Sequence, residues 1–368
     1  MIRLLHLGTE STWRGGENQM RLLIEGLQQH VEAQFAATPL NSIAYGEKRW
    51  SCETLGLSSG SEWDPRNIWQ LVQFIKKNKI NLLDAHTAKA HSLALKVATF
   101  VPSLKIVVHR RVDNVPKKKY FTVKKYFHPR VNRFTCISHF IAEVLKEYGV
   151  SQGKIRVARS AVSAKPYEPL NRLECQNFWK SKLSIPSDHI LIGNASALSP
   201  QKGYETLLQG VADLKTRKTN FSVLIAGDGG LKDSLMKMAQ NLGIQDRVYF
   251  TGFIKDVPTF LSALDILAVS SNNEGLGTII LDGFLAGCCV VGSEVGGIPE
   301  IVKPQVTGLL QSVGDYQALS KNLEFLIDNP DKRKQWAEQG KEFVKKEFSL
   351  DSMVQGNLKI YKEVMNEN

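Results

Sequence analysis

The sequence predicts an α/β protein of two doubly wound, Rossmann-like domains facing across a cleft. Three observations predict it. The chain has 368 residues, more than one hydrophobic core usually organises, so two domains are expected. Short apolar runs alternate with helical patterns from end to end, the signature of parallel sheets covered by helices. The alternation breaks once, at RSAVSAKPYEPLNR (159–172), where two prolines and small residues mark a linker. The expected domains are residues 1–163 and 164–349, with a last helix, within 350–368, that can pack back on the first.

In order, IRLLHL (2–7) reads as a buried strand, and ENQMRLLIEGL as the helix after it. Asp64-Pro65 places a cap before a proline at the first helical position and opens a helix to about Lys77. INLLDAH (80–86), LKIVVH (104–109) and RFTCIS (133–138) are further buried strands. Ser138 caps the next helix, whose apolar face is Ile141, Val144, Leu145 and Tyr148, with Gly149 as its stop. A second alternating set begins at HILIGNAS (189–196). FSVLIAGDGG (221–230) is a strand and glycine turn, with Asp228 as the expected cap and Leu231, Leu235, Met238 and Leu242 as the stripe of the next helix. RVYFTGF and LDILAVSS are two more strands. The last helix, about 350–365, carries Met353, Leu358, Ile360, Tyr361 and Val364.

Composition narrows the function classes. Hydrophobic residues make up 43% and charged residues 23%, ordinary for a globular enzyme. No apolar run approaches the ~18 residues of a membrane span. The start, MIRLLHLGTE, lacks the pattern of a signal peptide, so a cytoplasmic location is expected. The five cysteines are odd in number and show no CxxC spacing, which argues against disulfide or zinc frameworks. Cys288 and Cys289, in GCCVVG, read as small core residues. The net charge of +11 is uneven: residues 1–165 hold 26 Lys and Arg against 12 Asp and Glu, a net +14, and the rest is −3. A basic half facing an anionic partner is implied; nucleic acid, anionic lipid and a phosphorylated acceptor share that sign.

The stretch SSNNEGLGTIILDGFLAG (270–287) carries the chemistry. It follows a strand, turns through two glycines and enters a helix near Gly277. Unpaired amides at a helix start make an anion site. Glu274 stands in the turn and Asp282 one turn into the helix, and carboxylates accept from hydroxyls. A phosphate at the helix start with hydroxyl-bearing groups on both sides describes a nucleoside diphosphate sugar. The plain alternative is a turn acid plus a helix-face acid. GDGG (227–230) and SALSPQKGYETLL (196–208), with Lys202 before Gly203, also follow strands and open helices. A lysine there neutralises a diphosphate as a point charge, though each loop alone is a weak signal.

The order of QKGYETLL, LIAGDGGLKDSL, VYFTGF, SNNEGLGTIILDGFLAG, VVGSEVGGIPEIV and TGLL resembles the C-terminal half of a family 4 glycosyltransferase with the GT-B fold, strongly over about residues 190–312. The resemblance implies that Glu274 holds the donor sugar and Asp282 the ribose. Backbone amides of Gly277 and Thr278 would meet the phosphates, with Lys202 on the diphosphate. Gly227 and the turn at Phe253 and Ile254 would flank the base. Two departures stand out. Asp282 replaces the family's usual glutamate, and Ala197 stands where an arginine usually precedes the lysine. Slower turnover, or compensation by Arg14, Arg110 or Arg111, would follow.

The N-terminal half, the expected acceptor-binding domain, fits more loosely. GTESTWRGGENQ (8–19) has neither the GxGxxG nor the GxxxxGK[ST] spacing, so dinucleotide and ATP sites of those types are not supported. It resembles the family's glycine loop, with Gly15 and Gly16 near donor phosphate or acceptor. LLDAHTAKAHSLAL and IVVHRRVDN place His86 and His109 at strand ends, and the family carries a histidine near His109 that contacts the donor sugar. No DxD motif occurs, so no metal is expected, and no cofactor beyond the nucleotide sugar as co-substrate. Family members retain anomeric configuration. Retaining hydrolases use a carboxylate nucleophile; none stands out here, and Asp113 is kept as a candidate. Front-face transfer assisted by the leaving phosphate is the expectation, with His109, Glu274 and Lys202 as catalytic candidates and His86, Arg110, Arg111 and Asp113 as acceptor-side ones.

VPKKKYFTVKKYFHPR (115–130) interleaves lysines with Tyr120, Phe121, Tyr126 and Phe127. A solvated face is the plain reading. Single-stranded nucleic acid is bound by the same mixture, but the resemblance favours an anionic membrane surface and a peripheral location on its inner face. The expectation is therefore a retaining, UDP-sugar-dependent transferase acting on a glycan or lipid-linked acceptor, in lipopolysaccharide or other surface-glycan synthesis, with no nucleic-acid partner. A GT-B sugar-nucleotide epimerase, and a non-enzymatic RNA- or membrane-binding protein, are the alternatives.

Overall fold

The computed structural model describes residues 1–13 and 15–367; Arg14, one of the compensating cations considered above, lies outside the described residues. The chain divides into two compact units, Met1–Ala161 with Ser349–Asn368, and Val162–Phe348.

The first unit is a seven-stranded sheet of β1 (Arg3–Leu7), β2 (Ala33–Pro39), β3 (Glu53–Leu57), β4 (Leu82–Ala85), β5 (Lys105–Arg110), β6 (Arg133–Cys136) and β7 (Ile155–Val157). Its order is β3-β2-β1-β4-β5-β6-β7, and every pairing is parallel. Strands buried on both faces read as continuous apolar runs, and Leu4, Leu5, Leu82, Leu83, Ile106 and Val107 are all inaccessible. The exception sits in the middle: His6 on β1 pairs in register with Asp84 on β4, and both are wholly buried. Helices start where their caps stand. Asp64 accepts from the Arg66 amide, Thr87 from Ala90 and Ser138 from Ile141. Ile141, Val144, Leu145 and Tyr148 are buried, and Gly149 turns left-handed at φ +104°.

The last helix, Leu350–Met365, follows the second unit in sequence but belongs to the first. Met353, Val354, Leu358, Ile360, Tyr361 and Val364 bury against Leu4, Leu22, Leu23, Leu27, Leu82 and Val107. Gly26 lets the two backbones approach, since a Cβ there would lie 2.3 Å from Val354 Cγ2. Glu363 pairs with Arg156 at 2.8 Å.

The second unit is a six-stranded parallel sheet of β8 (Ile190–Ala195), β9 (Phe221–Ala226), β10 (Val248–Gly252), β11 (Ile266–Val269), β12 (Cys289–Ser293) and β13 (Gly308–Gln311), ordered β10-β9-β8-β11-β12-β13. Tyr204, Leu207, Leu208 and Val211 from one helix and Leu319, Leu323 and Leu326 from another close its core. Cys288 and Cys289 are fully buried, and burial pushes both thiols up to about 12.

Two local expectations are corrected. Asp228 is not the cap of the helix after β9; that helix runs Lys232–Asn241 behind Leu231, and the Asp228 carboxylate accepts from the next amide, Gly229, at 2.9 Å. Leu242 ends that helix on its solvent side, 36% exposed, while Leu235 is core.

Each sheet reverses its strand order once, between β1 and β4 in the first and between β8 and β11 in the second. In open α/β sheets ligands bind at the carboxyl ends of the strands flanking such a reversal, because the flanking connections leave toward opposite faces.

Candidate functional site

In the second unit the loops after β8 and β11 are stitched together. The Asn272 amide donates to Gln201 O at 2.8 Å, Asn272 Nδ2 to Pro200 O at 2.8 Å and Gln201 Nε2 to Asn273 O at 3.1 Å. Ser270 Oγ donates to Gly203 O at 2.8 Å. Gly203 is left-handed at φ +59°, and a Cβ on it would meet Ser270 O at 2.0 Å, so only glycine allows this approach. The stitching brings Lys202 Nζ to Glu274 Oε2 at 2.6 Å, with Ser271 Oγ 3.4 Å from the same oxygen. Behind Glu274, the Gly297 amide donates to its carbonyl at 3.0 Å, and Gly296 packs flat against it.

Gly277, at φ +84°, is the N-cap of the helix Thr278–Leu285, and no side chain caps it. Its Cα hydrogens face Glu274, whose Cγ would lie 3.4 Å from a Cβ there. The helix start, Glu274 and Lys202 therefore form one locus, an amide-lined end with a cation and an acceptor carboxylate beside it. Gly227 and the turn carrying Phe253 and Ile254 form a second pair, joined by a 2.8 Å bond from the Gly227 amide to Gly252 O. Phe253 is 75% exposed. Gly227 is required by the fold itself: it sits at φ +138°, and a Cβ would meet Ser196 O at 1.9 Å. Ala197 is exposed on the loop after β8.

Asp282 has a partner the sequence did not reveal. Tyr167, in the stretch read as linker, donates its hydroxyl to Asp282 Oδ1 at 2.9 Å. Burial pushes the Asp282 carboxyl up to about 6, against the opposing effect of the Tyr167 bond. One oxygen is thus committed inside the unit.

The first unit gathers a polar cluster where β1, β4 and β5 end. Asp84 Oδ2 lies 2.9 Å from His109 Nε2 and 3.2 Å from His86 Nε2, and accepts from Tyr361 at 2.5 Å. His6 Nδ1 is 3.1 Å from His86 Nε2, and the rings of His86 and His109 stack at 4.6 Å. Arg111 Nη2 lies 3.1 Å from His86 Nδ1. Burial alone would raise Asp84, but the histidines around it hold its carboxyl well below the usual range. Burial lowers both His86 and His109, so these rings are neutral near pH 7.

His6, Asp84 and His86 stand close enough together to be weighed as metal ligands. The donor set does not suit one. A guanidinium only donates, so His86 Nδ1 accepts from Arg111 and Nε2 carries the ring proton. Metal-bound histidines do the reverse, binding through a bare nitrogen while the other donates.

Arg110 requires correction as a substrate-facing cation. It is buried, and its guanidinium donates to Tyr126 Oη at 2.8 Å and to Asn114. Tyr126 itself is core, stacked on Phe134, not part of an exposed aromatic set. Among the described residues Asp113 Oδ2 is buried without a hydrogen-bond partner, so it is not tied to the histidine cluster. At Gly15 and Gly16 a Cβ would meet no atom within 4 Å, so nothing in the fold demands glycine there.

Two parallel-sheet, Rossmann-like units are the architecture of the GT-B fold, and by its two family matches the chain belongs to the glycosyltransferases. Residues 13–165 match the family Glycosyltransferase Family 4, and residues 176–343 match Glycosyl transferases group 1. It is 24% identical over 267 residues to the lipopolysaccharide core biosynthesis glycosyltransferase LpsD of Rhizobium meliloti, 73% of each chain. To LpsE of the same organism it is 29% identical over 181 residues, 49% of this chain and 52%, about half, of that relative. The fold matches a glycosyltransferase from Rickettsia africae (TM-score 0.85, 21% identity, 100% and 99% covered) and Anabaena HepE solved with UDP (0.82, 20%, 99% and 100%).

The raised carboxyl of Asp282 makes a testable stability term. A carboxyl whose folded pKa exceeds its unfolded value favours folding most when protonated, and that contribution is lost as pH rises from about 4 through about 6. Asp282→Asn removes the titration. Urea denaturation should show the variant gaining on the wild type by up to about 3 kcal/mol between pH 4 and pH 7.5. A pH-independent difference contradicts the assignment.

Proposed function

We propose that the protein transfers a sugar from a nucleoside diphosphate sugar, with UDP favoured, to a glycan or lipid-linked acceptor in lipopolysaccharide or other surface-glycan synthesis. One observation carries this reading: the Lys202–Glu274 pair at the open start of the helix Thr278–Leu285, on the strand reversal of the second sheet. Amides and the lysine suit a diphosphate, and the carboxylate suits sugar hydroxyls. Relatives named as core lipopolysaccharide glycosyltransferases, and a structural neighbour crystallised with UDP-glucose, support the direction.

In this reading the leaving diphosphate gathers negative charge as the glycosidic bond breaks. The first-turn amides and Lys202 stabilise that charge, and a leaving phosphate oxygen takes the acceptor proton on the same face, with retention of configuration and without a metal. Glu274 holds the sugar and, through its ion pair, aims Lys202. The basic first unit is the proposed acceptor side. No described helix is long and apolar enough to cross a membrane. Tyr120 and Phe121, 72% and 74% exposed, lie beside exposed Lys117, Lys118 and Lys119. This aromatic and cationic face is the proposed contact with an anionic membrane at its cytoplasmic surface.

Calorimetric titration with UDP-, GDP- and ADP-sugars should show one bound donor. Glu274→Ala should weaken it by roughly 10- to 150-fold, the loss of about 1.5–3 kcal/mol for bonds to a charged group. No binding by any member contradicts the reading, and an inverted product anomer contradicts front-face transfer. Vesicles rich in phosphatidylglycerol should float the wild type at low salt and lose it when Lys117, Lys118 and Lys119 become serine; equal flotation of both removes this segment as the anchor.

A further inference from the structure

Asp84 and Tyr361 take no part in the donor site, yet they stand at the centre of the first unit's polar cluster. Tyr361 comes from the last helix, 277 residues beyond Asp84, and both are completely buried. The tyrosine hydroxyl, His109 Nε2 and His86 Nε2 converge on a single carboxylate oxygen, Oδ2, at 2.5, 2.9 and 3.2 Å. The other oxygen, Oδ1, is buried and has no hydrogen-bond partner among the described residues. The carboxylate is thus fixed by one atom.

The chemistry of these groups assigns the protons. An ionised carboxylate only accepts, so His109 must carry its proton on Nε2. A neutral imidazole has one N–H, which leaves a lone pair on His109 Nδ1. No protein group among the described residues hydrogen-bonds that atom. On the other side of the cluster Arg111 fixes His86 as an Nε2–H donor as well, and that ring stacks on His109. His109 cannot exchange tautomers without losing its bond to Asp84.

We propose that Asp84, anchored by Tyr361, is a positioning residue that locks His109 in its Nε2–H form, so that Nδ1 accepts a hydrogen bond from a hydroxyl of the substrate. The identity of that substrate rests on the proposed glycosyl transfer; the proton pattern does not. A ring that accepts and cannot donate selects a free hydroxyl over an ether, a fluoride or a phosphate ester at the same position. In hydrolase triads a carboxylate likewise sets the tautomer of its histidine, there through Nδ1–H rather than Nε2–H. The last helix thereby becomes part of the site, although it lies far from it in sequence.

The test is a long-range proton–nitrogen correlation spectrum of protein labelled with ¹⁵N-histidine at pH 7.5, without ligand. His109→Gln identifies the His109 signals. The wild type should show protonated Nε2 and bare Nδ1. Asp84→Asn should convert this to the other tautomer or a mixture. Tyr361→Phe, which conserves shape, should keep the tautomer but make the Nε2 proton exchange with water severalfold faster. If Asp84→Asn does not fold, Tyr361→Phe decides alone. An Nδ1 proton or a doubly protonated ring in the wild type overturns the proposal, as does an Nε2 proton unchanged by the variants that fold. Failure of sugar-nucleotide binding would overturn the transferase reading and leave this result standing.

Discussion

A parallel sheet can offer a ligand only one kind of place, and the rest of this structure depends on it. Where the strand order reverses, the two neighbouring connections depart to opposite faces and leave the strand ends uncovered. In the second sheet that place lies between β8 and β11. The loops after those strands would drift apart without the bonds from Ser270 to Gly203 and from Asn272 to Gln201 and Pro200. Lys202 and Glu274, 72 residues apart, meet because the backbone under each is fixed first. Glycines 203, 296 and 297 are the cost of that closeness, since any side chain there would collide with a carbonyl or backbone atom.

The first sheet uses its reversal differently. It places His6 and Asp84 in register in the middle of an apolar sheet, with His86 and His109 at the strand ends beyond them. Burying an ionised carboxylate is strongly unfavourable unless donors surround it. Tyr361, brought by the last helix, and His109 donate to it here, and His86 Nε2 stands 3.2 Å away. The return of that helix is therefore both a packing event, through Met353, Val354 and Leu358, and an electrostatic one, through Tyr361.

Much of this was legible in the chain. Apolar runs bounded by caps and glycines located the strands, and Asp64, Ser138 and the last helix fell where their sequence signals stood. The Glu274 turn and the Lys202 loop were readable because their glycines and charges sit at strand-to-helix turns. Tyr167 and Tyr361 were not. One lies in an irregular stretch and the other on an apolar helix face, and nothing local distinguishes a tyrosine that will find a carboxylate from one that fills a core. Asp84 did leave a signal, a charge inside the buried run LLDA, which requires partners without naming them. Arg110 misled for the opposite reason: its neighbour Arg111 meets the cluster, while the strand's alternation turns Arg110 to Tyr126.

The central claim is that the helix start at Gly277, with Lys202, is where a diphosphate is held. Its most direct test is a crystal structure of the protein soaked with UDP. The account predicts the diphosphate within hydrogen-bond distance of the Gly277 and Thr278 amides, with Lys202 Nζ turned from Glu274 toward a phosphate oxygen. A diphosphate bound elsewhere, with the 2.6 Å Lys202–Glu274 pair undisturbed, would contradict it.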